Sequence, residues 1–203
     1  LDTDAGPERL FDVVADLGTY PDWLDIVPSA VPAAVDDGDP GPANQIRASV
    51  TYNHVVEGCL ALTGYYGWGK VCNSRGILPG MQRIIKHIGD DERRHMAWGT
   101  FTCRRHVAAD DAMWQVVIDR MGELMPLALA TVDSGNSEWG DHPPFGIDPA
   151  ELSAYAADKL TRRLGAIESA RGADLKLIDR DASPEALEEK FHAEDQLVLS
   201  PAN

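Results

Sequence analysis

The segment GDDERRHMAWG, residues 89–99, places Glu92 and His95 three positions apart on what reads as a helix. Residues three apart on a helix share a face, and the neighbours on this one are Ile84, Ile85, Ile88 and Gly99. A carboxylate on an apolar stripe is costly to bury unless something compensates its charge. A metal ion does so, because carboxylate oxygen and imidazole nitrogen are both ligands. Glu-x-x-His on two helices, with a Glu on each of two others, is the ligand set of two-metal carboxylate bundles. A third donor, Glu57, lies in TYNHVVEGCLALTGYY, 35 residues before Glu92. Two antiparallel helices joined by a short loop bring these positions level, at about 1.5 Å of rise per residue. Glu57, Glu92 and His95 are therefore candidate ligands of one metal. Asp91 is a candidate acceptor that orients the imidazole through its other nitrogen. A lone Glu-x-x-His is also common as a solvated pair on an open helix face, and that reading stands beside the metal one. A second such pair, Glu189 and His192 in LEEKFHAED, has little apolar face around it and reads as solvated.

The elements that must hold these residues are mainly helical. Residues 44–73 read as one long helix with Asn44 as its N-cap, although Gly58, Gly64, Gly67 and Gly69 each cost roughly 1 kcal/mol of helix propensity. NSRGILPGMQ breaks the pattern, and a second helix is expected from about Pro79 to Ala108. A third is expected from about Asp110 to Val132 with Pro126 inside it. A fourth begins at DPAELSAYAADKL, with Asp148 as N-cap and Pro149 at the first helical position. From about Gly172 the chain reads as an acidic tail with one short helix at 184–190. Upstream, VPAAVDDGDPGPA reads as a linker. The expected organisation is 1–43 as a short N-terminal α+β piece and linker, 44–171 as the helical region with the metal ligands, and 172–203 as the tail.

Composition narrows the partners. Thirty-three acids against 18 Lys and Arg give a formal net charge of -15, which argues against nucleic acid or an anionic membrane surface. No apolar run is long enough to span a bilayer. No signal-peptide pattern follows Leu1, so a cytoplasmic location is expected for what reads as a fragment or trimmed chain. Cys59, Cys72 and Cys103 are odd in number and widely spaced, which fits buried thiols in a reducing compartment and not a disulfide framework.

ASVTYNHVVEGCLALTGYYGW, GILPGMQRIIKHIGDDERRHMAWGTF and FGIDPAELSAYAADKLTRRLGAIESARG together resemble the C-terminal half of the ligand-binding oxidases related to the ribonucleotide reductase small subunit. The resemblance runs from about residue 45 to the C-terminus. It implies a ferritin-like four-helix core with a mixed manganese–iron or di-iron site. It also implies O2 activation, a long-chain fatty acid bound at the metals and a tyrosine–valine ether crosslink. By the same resemblance Glu57 matches the carboxylate ligand of the third core helix, and Glu92 and His95 match the Glu-x-x-His of the fourth. Tyr52 matches the crosslinking tyrosine, and Asp91 the aspartate beside the ligand Glu.

The chain departs from that pattern upstream, where the family has another Glu, another Glu-x-x-His and the crosslinking valine. In their place DAGPERLFDVVADLGTYPDWLDIVPSAV is similar to the start of START-like, polyketide-cyclase-type (SRPBCC) domains. Two functions follow as expectations. One is an O2-dependent oxidase whose two-metal site is incomplete in one chain and is completed by a homodimer, two copies together supplying four Glu and two His. The other is a non-catalytic, truncated or fused helical binding module.

Overall fold

The computed structural model describes residues 41–137, 143–181 and 183–199. The backbone divides at Pro40/Gly41 into two units, and the described residues all lie in the second. The expected α+β piece and its SRPBCC-like segment fall outside the described residues.

One continuous helical rod opens the unit in three registers: α1 (Pro42–Ser49), π1 (Val50–Ala61) and α2 (Leu62–Arg75). In π1 the backbone bonds run between residues five apart, as in the Leu62 N–H donating to Glu57 O. Gly41 is the N-cap and Pro42 the first helical residue, so the rod starts three residues before the expected Asn44 cap. Proline's fixed φ and missing N–H suit that first position. Gly76 ends α2 in the left-handed conformation, φ 61, a backbone that glycine adopts without steric cost.

Then come α3 (Pro79–Ala109), α4 (Met113–Ser137), α5 (Pro149–Glu168), α6 (Leu175–Asp181) and α7 (Pro184–Leu199). The third helix begins at Met113 and not at Asp110, because the Asp110 carboxylate accepts from Ala112 N and holds a turn there. Pro126 lies within α4, as expected. Asp148 caps α5 by accepting from Ala150 N, with Pro149 at the start. Among the described residues there is no strand, and the fold is a ferritin-like helical bundle.

The core is built where π1, α3, α4 and α5 meet. Ile46, Val50, Val55, Cys59, Cys103 and Val107 are all buried, as are Val117, Leu160 and Ile167. The three cysteines are buried and free. Buried polar groups tie the same layers together. On α5, Arg163 is 2% exposed, and its Nη1 donates to Gly58 O (3.3 Å) and Lys159 O (3.1 Å). On π1, His54 is fully buried between Ser49 O (2.9 Å) and Thr100 Oγ1 (3.2 Å). Burial holds its pKa down at about 4, with Arg163 adding to the effect and the Ser49 bond opposing it. Nδ1 therefore donates to the carbonyl and neutral Nε2 accepts from the threonine hydroxyl.

The chain beyond Gly172 differs from the expected charged tail. It forms α6 and the sixteen-residue α7, and α7 packs along α3. Leu187, 5% exposed, is the anchor, set against Ala97 and Phe101. In the sequence, Leu187 stands among the charges of PEALEEK, which is why the segment read as a solvated tail.

Candidate metal centre

Glu57 stands near the middle of π1, and Glu92 and His95 stand on α3. Two features bring the helices close enough for these three to meet. Gly99 on α3 lies against Asn53 of π1, where a Cβ would sit 2.5 Å from the asparagine's own Cβ. The buried His54–Thr100 hydrogen bond fastens the same crossing one residue further along each helix.

At this crossing one ligand atom each of Glu57, Glu92 and His95 lies within 4.8 Å of the other two. His95 Nδ1 is 3.2 Å from Glu57 Oε1 and 3.8 Å from Glu92 Oε2. Asn53 Nδ2 donates to the other Glu57 oxygen at 3.0 Å, which leaves Oε1 facing the imidazole. The Tyr65 hydroxyl donates to Glu92 Oε1 at 3.4 Å. Glu92 Oε2 is buried and has no hydrogen-bond partner. Desolvation, followed by the charge of Glu57, raises the Glu92 pKa, while His95 and Tyr65 oppose the rise. Burial and the nearby Glu92 and Glu57 charges raise the Tyr65 pKa as well. An orphaned carboxylate oxygen inside a group of two carboxylates and an imidazole fits a divalent cation, which would satisfy all three donors at once.

The other sequence candidates lie elsewhere. Asp91 points away: it is exposed and pairs with Arg94, one turn along α3. Tyr52 is 64% exposed on π1. It precedes Glu57 by five residues, the hydrogen-bonding step of a π-helix, so the two sit nearly one above the other. Ile84 and Ile88, which the sequence suggested would bury the Glu92 face, are 54% and 37% exposed. Glu189 and His192 are exposed on α7. Asn53, His54 and Tyr65 escaped the sequence reading. Asn53 is four residues before Glu57, a spacing that marks side-chain pairs on a helix and so pointed to it.

Beside the centre, Tyr65 also lines a cavity of about 550 Å³, together with Leu62, Tyr66, Ile85 and Tyr155. Tyr66 and Tyr155 stack there with ring centroids 4.2 Å apart.

Fold and site together define a helical bundle with a carboxylate–histidine group that could hold a metal ion. No protein-family model matches the chain. The solved structures similar to it are R2-like ligand-binding oxidases. One variant with an aerobically reconstituted Mn/Fe cofactor is 30% identical, with a TM-score of 0.60 over 64% of this chain and 48% of that chain. Another, with an anaerobically reconstituted Mn/Fe cofactor, is 31% identical, with a TM-score of 0.58 over 64% of this chain and 46% of that chain. The oxidase from Sulfolobus acidocaldarius is 25% identical, with a TM-score of 0.57 over 87% of this chain and 54% of that chain. This chain thus spans about half the length of the oxidases it resembles.

Proposed function

We propose that Glu57, Glu92 and His95 are one half of a dinuclear Mn/Fe or Fe/Fe carboxylate centre that uses O2 to oxidise an organic substrate. The observation that carries this reading is the buried, unpartnered Glu92 Oε2 within a three-donor group. Likeness to oxidases that hold a Mn/Fe cofactor supports it. When bound, such a metal pair supplies the electrons for reducing O2. The chain's own residues do the positioning. Asn53 fixes one oxygen of Glu57 and leaves the other to the centre. Tyr65 holds a hydroxyl proton against Glu92 Oε1. Tyr52, one π turn before Glu57, is the phenol we assign to the centre's oxidation chemistry; the valine that would complete an ether crosslink has no counterpart in this chain. We assign a long-chain fatty acid as ligand, its carboxylate at the centre and its tail in the 550 Å³ cavity beside Tyr65, a volume suited to a small amphiphile. Among the described residues no helix is long and apolar enough to cross a membrane. Three free thiols suit a reducing compartment, and a cytoplasmic location belongs to this reading.

The test is metal content per chain after anaerobic loading with Fe(II) and Mn(II), followed by exposure to O2. The expected result is bound metal, an O2-dependent optical band, and loss of both in Glu92→Ala. Full metal retention by Glu92→Ala refutes the ligand assignment. A second reading, a non-catalytic binding module, is favoured by the count of donors, since the group found among the described residues has three. Metal uptake with no optical response to O2 decides for it.

A further inference from the structure

Along α3 the residues Met81, Ile84, Ile88, Asp91, His95 and Trp98 recur at steps of three and four, and all six are exposed. That spacing is the seam of a helix that pairs with another helix. Trp98 is 61% exposed and Ile84 54%, on a face that contains the metal ligand His95. Tyr52 and Val56 of π1, beside Glu57, extend it and are 64% and 42% exposed. From these fractions the open side-chain surface is roughly 800 Å², about what each partner contributes to a stable interface.

We propose that this face binds a second copy of the chain, with the two α3 helices antiparallel about a two-fold axis near Asp91 and Glu92, and that metal drives the pairing. The proposal rests on the reading of Glu57, Glu92 and His95 as ligands. Three features identify the occupant. A two-metal carboxylate bundle needs a Glu from each of two helices and Glu-x-x-His from each of two more. One chain supplies half of that set, and a second copy supplies the other half. Next, the seam is symmetric about its own centre. Antiparallel pairing there puts Ile88 opposite His95 and Ile84 beside Trp98, so apolar positions stay covered throughout. Finally, the flanks are complementary. The groove of about 450 Å³ beside His95 and Trp98 is walled by Glu185 and Glu188 of α7, with Arg94 of α3 also on its lining and held by Asp91. The same antiparallel arrangement carries the exposed Arg83 and His87 of the other copy to that end.

The pairing also brings two Glu57 and two Glu92 together near the axis, while each Asp91 keeps its own Arg94. Without cations these carboxylates repel, and more strongly as water is excluded. With a cation at each half-site the charge is neutralised and the apolar seam closes.

The test is the mass of the full chain by sedimentation velocity, with Mn(II) and Fe(II) and again after chelation, beside metal content per chain. Metal is expected to double the mass and chelation to restore the single-chain value. Ile84→Glu should stay at single-chain mass with metal present, with helical circular dichroism like that of the unaltered chain. Glu92→Ala should not dimerise. Metal-loaded chain at single-chain mass overturns the pairing, leaves the face to another polypeptide, and leaves the ligand reading intact because metal is still bound. A dimer indifferent to chelation, or one that Ile84→Glu does not weaken, also overturns it. Equal metal content in Glu92→Ala and the unaltered chain refutes the ligand reading instead, whatever the mass.

Discussion

Replacing Gly99 with alanine isolates the contact that brings the ligand helices together. The new Cβ would lie 2.3 Å from Asn53 Oδ1, 2.5 Å from its Cβ and 2.6 Å from its Cγ. The amide could swing away from such a clash, but the asparagine Cβ cannot move without the π1 backbone, so the helices must part. Overpacking of this kind costs about 1–3 kcal/mol. Displacing Asn53 also removes its bond to the Glu57 carboxylate, and bonds to charged groups are worth about 1.5–3 kcal/mol, less here because the site is partly open. Against this, alanine is favoured over glycine in a helix by roughly 1 kcal/mol. The net expectation is a loss of roughly 2–4 kcal/mol. For a chain of this size that lowers Tm by roughly 5–15 °C. The control is Gly64→Ala, where an added Cβ meets nothing within 4 Å and only the propensity gain of up to about 1 kcal/mol remains. Thermal unfolding of the metal-free chain followed by circular dichroism measures both. A Gly99→Ala variant as stable as Gly64→Ala would refute the close approach of α3 to π1.

Three further outcomes are expected. His54 has a folded pKa of about 4 against an ordinary 6.5, so the unfolded chain binds the extra proton first as the pH falls. Its contribution, up to about 3 kcal/mol, is present above pH 6.5 and is lost towards pH 4; urea unfolding across that window should show a steeper pH dependence than in His54→Gln. Asn53→Ala frees the second Glu57 oxygen and should weaken Mn(II) or Fe(II) binding about 10- to 100-fold by titration calorimetry, with helical content unchanged. Leu187→Ala should cost about 2–4 kcal/mol and raise amide exchange in α7 before the rest of the bundle; uniform exchange would refute α7 as a separately docked element.

That Glu57, Glu92 and His95 meet was legible because two local signals agreed: a three-residue step on one helix, and a Glu at matching depth on the preceding one. The caps at Asp148 and Pro149 were legible for a similar reason, since side-chain and proline chemistry act within a few residues. Asn44 misled because the Gly41–Pro42 pair upstream serves equally well as a start. The π register left no readable trace. Its hydrophobic residues satisfy a helical pattern, and such a pattern does not tell bonds four residues apart from bonds five apart. Asp91 shows the limit of spacing alone: a neighbour of a ligand along the chain faces elsewhere on the helix, and Arg94 is the nearer charge. Ile84 and Ile88 were misjudged because an apolar stripe looks the same in sequence whether its partner lies within the chain or outside it.

The π1 segment also has a bearing on how this rod tolerates change in length. In an α-helix each residue advances the chain by about 100° of rotation, so deleting one swings everything beyond it off its face. A twelve-residue stretch bonded five residues apart holds more residues per turn than an α-helix, so losing a residue there lets the remainder tighten to α winding. Ile46 on one side of π1, and Val71 and Cys72 on the other, are all buried. The stretch thus acts as a phase adjuster between two faces that would otherwise be out of step. Of the positions in the rod, those between Val50 and Ala61 are where a change of length is absorbed as a change of twist, and the side chain that such a change re-aims is Glu57.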